Sequence, residues 1–251
     1  MPIAGFALLL LNATCIIHAA RRGKSSMWYF AIIALPIIGA LAYIIFEMWP
    51  EMKGRPGTRR MIKDASWAMK SPETRYDILA EELKAVPTIE NRHALAVECI
   101  LQKRYADAIV ILKMGLQGAQ AKDVLLLLTL AEAYFYQRNF NACLETFGEL
   151  RSANPEYYKP DAHLLFARAL EMAGRDAEAL EEYGALAATY PGQEARYRYA
   201  NLLSMNGKTG QARATASELL RMVERGNRNY KNAQKEWYDK AGALVDRIDN
   251  N

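Results

Sequence analysis

The sequence predicts an all-α protein: an N-terminal two-helix transmembrane hairpin, then an α-solenoid of about four helix pairs closed by a C-terminal capping helix. Three observations carry this. Two apolar runs of bilayer length stand within the first 50 residues, a short motif recurs at spacings of 35, 36 and 33 residues, and the last segment is an amphipathic helix. The division that follows is residues 1–50 as the hairpin, 51–70 as a basic linker and 71–251 as the repeat domain.

Ile3 to Ala20 is an uncharged run of 18 residues, enough at 1.5 Å per residue to cross about 27 Å of hydrocarbon. Its basic residues, Arg21 and Arg22, follow the apolar stretch, whereas a cleaved signal peptide carries them before it. The polar Asn12, Thr14 and His18 are expected to face a second helix or the headgroups. That second helix is Met27 to Trp49, uncharged until Glu47 and flanked by Trp28, Tyr43 and Trp49 as interfacial anchors. Pro36 and Gly39 stand in mid-span, Pro36 to kink the helix and Gly39 to let a neighbour approach closely. The link between the runs, RRGKSS, is short enough to force antiparallel pairing.

Charge is unevenly placed. Residues 1–60 hold seven Lys and Arg against Glu47 and Glu51, whereas the remainder holds 25 against 26 acidic residues. A basic juxtamembrane segment suits a lipid bilayer as partner, and the balanced remainder argues against nucleic acid. Five basic residues follow the second run (Lys53, Arg55, Arg59, Arg60, Lys63) against three in the turn. The positive-inside rule then predicts a bacterial inner-membrane protein with two spans and a cytoplasmic repeat domain. Cys15, Cys99 and Cys143 form no CxxC pair and read as buried thiols, which favours a reducing compartment.

The Arg-rich turn, Trp28 and the stretch Leu35-Pro36-Ile37-Ile38-Gly39-Ala40-Leu41-Ala42-Tyr43 resemble the N-terminal membrane domain of the phospholipase D and cardiolipin synthase family. The resemblance covers residues 3–50. Its catalytic part does not follow: that family needs a His two residues before a Lys, and His18, His93 and His163 are followed there by Ala20, Leu95 and Leu165. What the resemblance implies is an anchor, and as an alternative function an accessory or regulatory subunit of a membrane phospholipid-metabolising enzyme.

Pro50 to Arg60 breaks any helix with Pro50, Gly54, Pro56 and Gly57. Ser71 as N-cap and Pro72 at the first helical position open a helix that runs to about Ala85, where Pro87 stops it. The repeats follow. Arg104-Tyr105-Ala106-Asp107-Ala108, Asn139-Phe140-Asn141-Ala142-Cys143, Arg175-Asp176-Ala177-Glu178-Ala179 and Lys208-Thr209-Gly210-Gln211-Ala212 align. Small residues recur at Ala96, Ala131, Ala167 and Ala200 in the first helices and at Ala108, Cys143, Ala179 and Ala212 in the second. Helices 8–10 Å apart need small side chains where they cross. The turn position holds Lys103, Arg138, Gly174 and Gly207, and closing prolines stand at Pro155 and Pro191.

These units resemble tetratricopeptide repeats, with Lys103 and Arg138 departing from glycine at the turn and Gln120 from the closing proline. The resemblance implies that the first helices line a groove, through Glu90, His93, Leu128, Glu132, Phe135, Tyr136, Leu164, Arg168, Glu171, Tyr197, Asn201 and Ser204. The Lys/Asn clamp by which some such domains hold a terminal carboxylate is not matched, since its opening positions are His93 and Val97. Asn229 to Ile248 places Tyr230, Ala233, Trp237, Ala241, Leu244, Val245 and Ile248 on one face, as a cap or a partner-binding helix.

No set of residues converges on chemistry. The chain lacks GxxxxGK[ST], GxSxG, HExxH and Cys/His clusters, and the adjacent carboxylates Glu81-Glu82 and Glu181-Glu182 point about 100° apart on a helix. The expectation is therefore no enzyme, no cofactor and no metal site, but a membrane-anchored adaptor or scaffold whose groove binds a protein partner.

Overall fold

The computed structural model describes residues 2–49, 64–157 and 159–250. The chain divides into two compact units, Met1–Ser71 and Pro72–Asn251, and among the described residues every regular element is helical.

The first unit contains α1 (Pro2–Arg21), α2 (Met27–Ala34), α3 (Pro36–Tyr43) and a π-helical turn, Ile44–Met48. A short helix follows at 64–68. The linker residues 50–63, with their expected glycine and proline breaks and basic residues, lie outside the described residues.

The second apolar run folds back on itself where a continuous span is expected. Pro36 has no N–H and disfavours helical backbone at the residue before it. Leu35 accordingly leaves the helix (φ −131°, ψ 76°), and Pro36 starts a new one. Gly39 lies so close to α2 that a Cβ there would stand 2.0 Å from the Ala31 carbonyl oxygen. The two arms lie side by side, and the ends of the run meet. The rings of Trp28 and Tyr43 are 5.3 Å apart and edge-to-face, the Trp28 indole N–H donates to Glu47 at 3.1 Å, and Lys24 reaches Glu47 at 2.6 Å. His18 Nδ1 and the Tyr43 hydroxyl close the same end at 2.9 Å. Cys15 and Ala19 of α1 pack with Ile32, Ala40 and Tyr43 in the core of this unit.

Each arm has eight residues, about 12 Å of helix. Among the described residues, no helix is long and apolar enough to cross a membrane. This overturns the transmembrane hairpin and the two-span inner-membrane localisation with a cytoplasmic repeat domain. Hydropathy measured the length of the run and not its direction. Of the expected anchors, Trp28 and Tyr43 are joined in the closure, Pro36 and Gly39 build the turn, and Trp49 is exposed. Phe30, Ile33, Ile38 and Phe46 form an exposed apolar shell, each at least 65% exposed.

The second unit opens with α4 (Pro72–Ala85) and continues in four pairs: α5 (Ile89–Leu101) with α6 (Tyr105–Gly115), α7 (Val124–Tyr136) with α8 (Phe140–Ala153), α9 (Pro160–Met172) with α10 (Asp176–Thr189), and α11 (Glu194–Met205) with α12 (Thr209–Arg225). The small residues stand at the helix crossings: Ala96, Ala131, Ala167, Ala200, Ala108, Cys143, Ala179 and Ala212 are all fully buried. Burial pushes the Cys99 thiol up to about 11 and that of Cys143 to about 12.

All four intra-pair turns share one geometry. Lys103, Arg138, Gly174 and Gly207 have φ of 61°, 67°, 73° and 74°. In each, the turn residue donates its N–H three residues back and the next residue five back, as in Arg138 N to Phe135 O and Asn139 N to Tyr134 O, both 2.9 Å. This closure satisfies the last carbonyls of the first helix and favours glycine at the left-handed position. A side chain there strains the backbone by about 1–2 kcal/mol, partly offset because it also restricts the unfolded chain. Lys103→Gly is therefore expected to raise stability by about 0.5–1 kcal/mol, read as a higher urea midpoint at unchanged slope.

The capping helix α13 (Arg228–Asp249) closes the array through Ala241 and Leu244 against Ala200, Ala216, Leu219 and Val223. A polar network docks it as well: the Gln193 backbone N–H donates to Gln234 Oε1 at 2.8 Å and its side-chain amide donates to the Tyr230 hydroxyl at 2.7 Å, while buried Arg196 donates to Gln193 Oε1 at 2.8 Å and to the Ala187 carbonyl. As a cap, α13 has its apolar face already covered.

Candidate protein-interaction site

The first helix of a pair ends in a fixed turn, so side chains near its C-terminus and just past the turn converge from successive pairs. At the end of α7 this produces a cavity of about 290 Å³ lined by Phe135, Tyr136, Arg138, Phe140, Arg168, Met172 and Arg198. Phe135 is its floor, edge-on to Phe140 with ring centroids 5.6 Å apart. The Arg168 guanidinium lies over Phe135 at 4.9 Å, a cation–π contact. Tyr136, half-exposed, stacks on Tyr105 of the preceding pair at 6.2 Å, extending the aromatic surface.

Charge around the cavity is organised by two carboxylates. Arg198 donates to Glu194 at 2.7 Å and reaches Glu171 at 3.3 Å, and Arg168 stands 3.7 Å from Glu194. Glu171 also accepts from the fully buried Tyr183 hydroxyl at 2.5 Å. Burial and the neighbouring Glu171 push that phenol far up, so it stays a donor. Arg138 sits on the exposed rim and makes no ion pair among the described residues.

The sequence-predicted groove residues thus separate. Phe135, Tyr136, Arg168 and Glu171 come together at or beside this cavity. Leu164 is buried in the core and Leu128 half-buried. Tyr197 packs on Trp237 of the cap at 5.7 Å, Asn201 donates to Met205 Sδ at 3.5 Å, and Ser204 supplies its carbonyl to the Gly207 turn. Glu90 is exposed, and burial lowers the pKa of half-buried His93 against the pull of Asp123. Four cavity residues were not expected: Arg138, Phe140, Met172 and Arg198. Arg198 was legible, because it stands four residues after Glu194 on one helical face. Among the described residues, no group of three or more His, Cys, Asp or Glu stands together as a metal site.

Glu132, one turn before Tyr136, has its carboxyl pushed above the usual range by burial, with Lys159 pulling it down and Asp161 adding to the rise. A carboxyl raised in the folded state favours folding only while it is protonated, and that contribution is lost as pH rises through its folded value. Glu132→Gln is expected to be more stable than the parent chain at neutral pH. The gap should close once pH falls below the ordinary carboxylate range, as urea titrations at neutral and acid pH would show.

No protein-family model and no curated protein matches the chain. The resemblance of residues 3–50 to the phospholipase D N-terminal domain therefore gains no support. Solved structures do match. A thermophilic TPR protein of Thermus thermophilus aligns with TM-score 0.50 and 16% identity over 70% of this chain and 95% of that chain. A putative kinesin light chain with nearly identical TPR-like repeats, from Podosopora anserina, aligns with TM-score 0.49 and 14% identity over 64% of this chain and 93% of that chain. At such identity the first likeness shows the fold: residues of this chain form a TPR-like helical solenoid.

Proposed function

We propose that the chain is an interaction scaffold whose helical repeats bind a protein partner at the aromatic and arginine-lined cavity beside Phe135. A TPR-like fold suggests a protein-interaction role, and the observation that carries the reading to this place is the exposed Tyr136 and Met172 beside Arg168, an aromatic floor with cations above it. Aromatic and arginine side chains in partly covered pockets supply most of the energy in protein recognition. The test is a quantitative capture comparison between the full chain and a Tyr136→Ala/Arg168→Ala variant, both shown by melting to be folded. A defined set of proteins is expected to drop at least about tenfold on the variant, the loss of roughly 1.4 kcal/mol or more. An unchanged capture profile overturns this placement.

A further inference from the structure

We propose that this cavity recognises an acidic side chain set next to a large apolar one, presented by an extended segment of the partner. The inference rests on the scaffold reading above and names the chemistry of what that scaffold holds.

Counting the charges decides the sign. Three guanidinium groups line the cavity, Arg138, Arg168 and Arg198, and the carboxylates that meet them are Glu171 and Glu194. Arg198 is engaged by both, at 3.3 and 2.7 Å, while Arg168 meets, among the described residues, the one carboxylate of Glu194, at 3.7 Å, and lies over the Phe135 ring. Arg138 has no carboxylate among the described residues. The bowl keeps an excess positive charge at its rim, and an incoming carboxylate completes it with charge-assisted hydrogen bonds. A bare anion would leave the rest uncovered. Phe135 and Phe140 form an apolar floor, and Met172 and Tyr136 are 46% and 47% exposed beside it. Met172 is unbranched and polarisable and adapts to the shape of an inserted side chain.

The backbone offers a clean probe. Arg138 holds its turn at φ 67°, the conformation that Gly174 and Gly207 hold in the next two pairs. Glycine at 138 therefore removes the guanidinium while relaxing the fold. Lys103, with φ 61° in the first pair, does not line the cavity, so Lys103→Gly is the matched control for the backbone change alone.

The test selects random dodecapeptides, acetylated and amidated so that no terminal charge contributes, on the full-length protein. The expected result is enrichment of Asp or Glu within two positions of Phe, Leu or Trp. The leading peptide should bind about tenfold more weakly to Arg138→Gly and as well as before to Lys103→Gly, with affinity falling as salt rises. Selected peptides that are basic or uncharged, or whose binding ignores Arg138→Gly, overturn the acidic-segment inference. If such peptides still lose affinity to Tyr136→Ala/Arg168→Ala, the scaffold reading stands without it. Failure to select any peptide that the Tyr136→Ala/Arg168→Ala variant weakens overturns both.

Discussion

Gly39→Ala is expected to open the N-terminal hairpin. The added methyl would stand 2.0 Å from the Ala31 carbonyl oxygen, 2.5 Å from the Ala31 carbonyl carbon and 2.9 Å from the Ile32 Cα. All three are backbone atoms of the facing arm, so no side-chain rotation relieves the overlap. The arms must separate, and the contacts that close the far end go with them. In a straight helix the same substitution would be favourable by about 1 kcal/mol, because Ala is the better helix former. The sign of the effect therefore discriminates the two architectures. Zero-length carbodiimide coupling reads it directly. Lys24 Nζ and Glu47 Oε2 are 2.6 Å apart in the folded-back arrangement, whereas a continuous helix would separate these residues by about 34 Å. An amide between Lys24 and Glu47 is expected in the parent chain and should be lost in Gly39→Ala. Equal coupling in both would refute the tight approach of the two arms.

The same residue explains what the sequence did not reveal. Pro36 announces a break in any helix that contains it, but a break is equally consistent with a kink of tens of degrees and with full reversal. Reversal depends on Gly39 meeting the backbone of Ala31, and on Trp28, Tyr43 and Glu47 meeting across 19 residues of chain. Hydropathy sums carry neither contact. The solenoid was legible for the opposite reason. Its pairs are local in sequence, and its crossings demand a small residue at a fixed interval, so Ala96 to Ala212 could be placed by counting. Site residues fall between these cases. Of the groove positions that the repeat resemblance implies, Phe135, Tyr136 and Arg168 come to one place. The resemblance also selected Leu164, which the adjoining helices bury, and it passed over Arg138, which belongs to a turn and not to a groove-lining first helix.

Removing Arg75 is expected to destabilise the start of the solenoid by about 3 kcal/mol, the lower end of what breaking a buried ion pair costs. Glu98 of α5 is only 4% exposed, and a buried carboxylate must be both paired and hydrogen-bonded. Arg75 of α4 donates to it at 2.9 Å, and Gln102 donates from one turn further along at 2.9 Å. Gln102 also reaches back to the Pro72 carbonyl at 2.7 Å, so the three side chains tie the first turn of α4 to the end of α5. Arg75→Ala leaves the charge of Glu98 facing a helix that no longer answers it. The attraction itself is a poor source of stability, because desolvating both groups offsets most of the gain. That distinction gives the experiment its second arm. Arg75→Met with Glu98→Leu replaces the pair by apolar groups of similar volume and should recover most of the loss, leaving Gln102 its bond to Pro72. Urea unfolding of the three chains checks both statements. A double variant as unstable as Arg75→Ala would show that α4 is held by the ion pair itself, and an Arg75→Ala variant as stable as the parent would show that Glu98 does not need Arg75 and that the pair contributes nothing to the docking of α4.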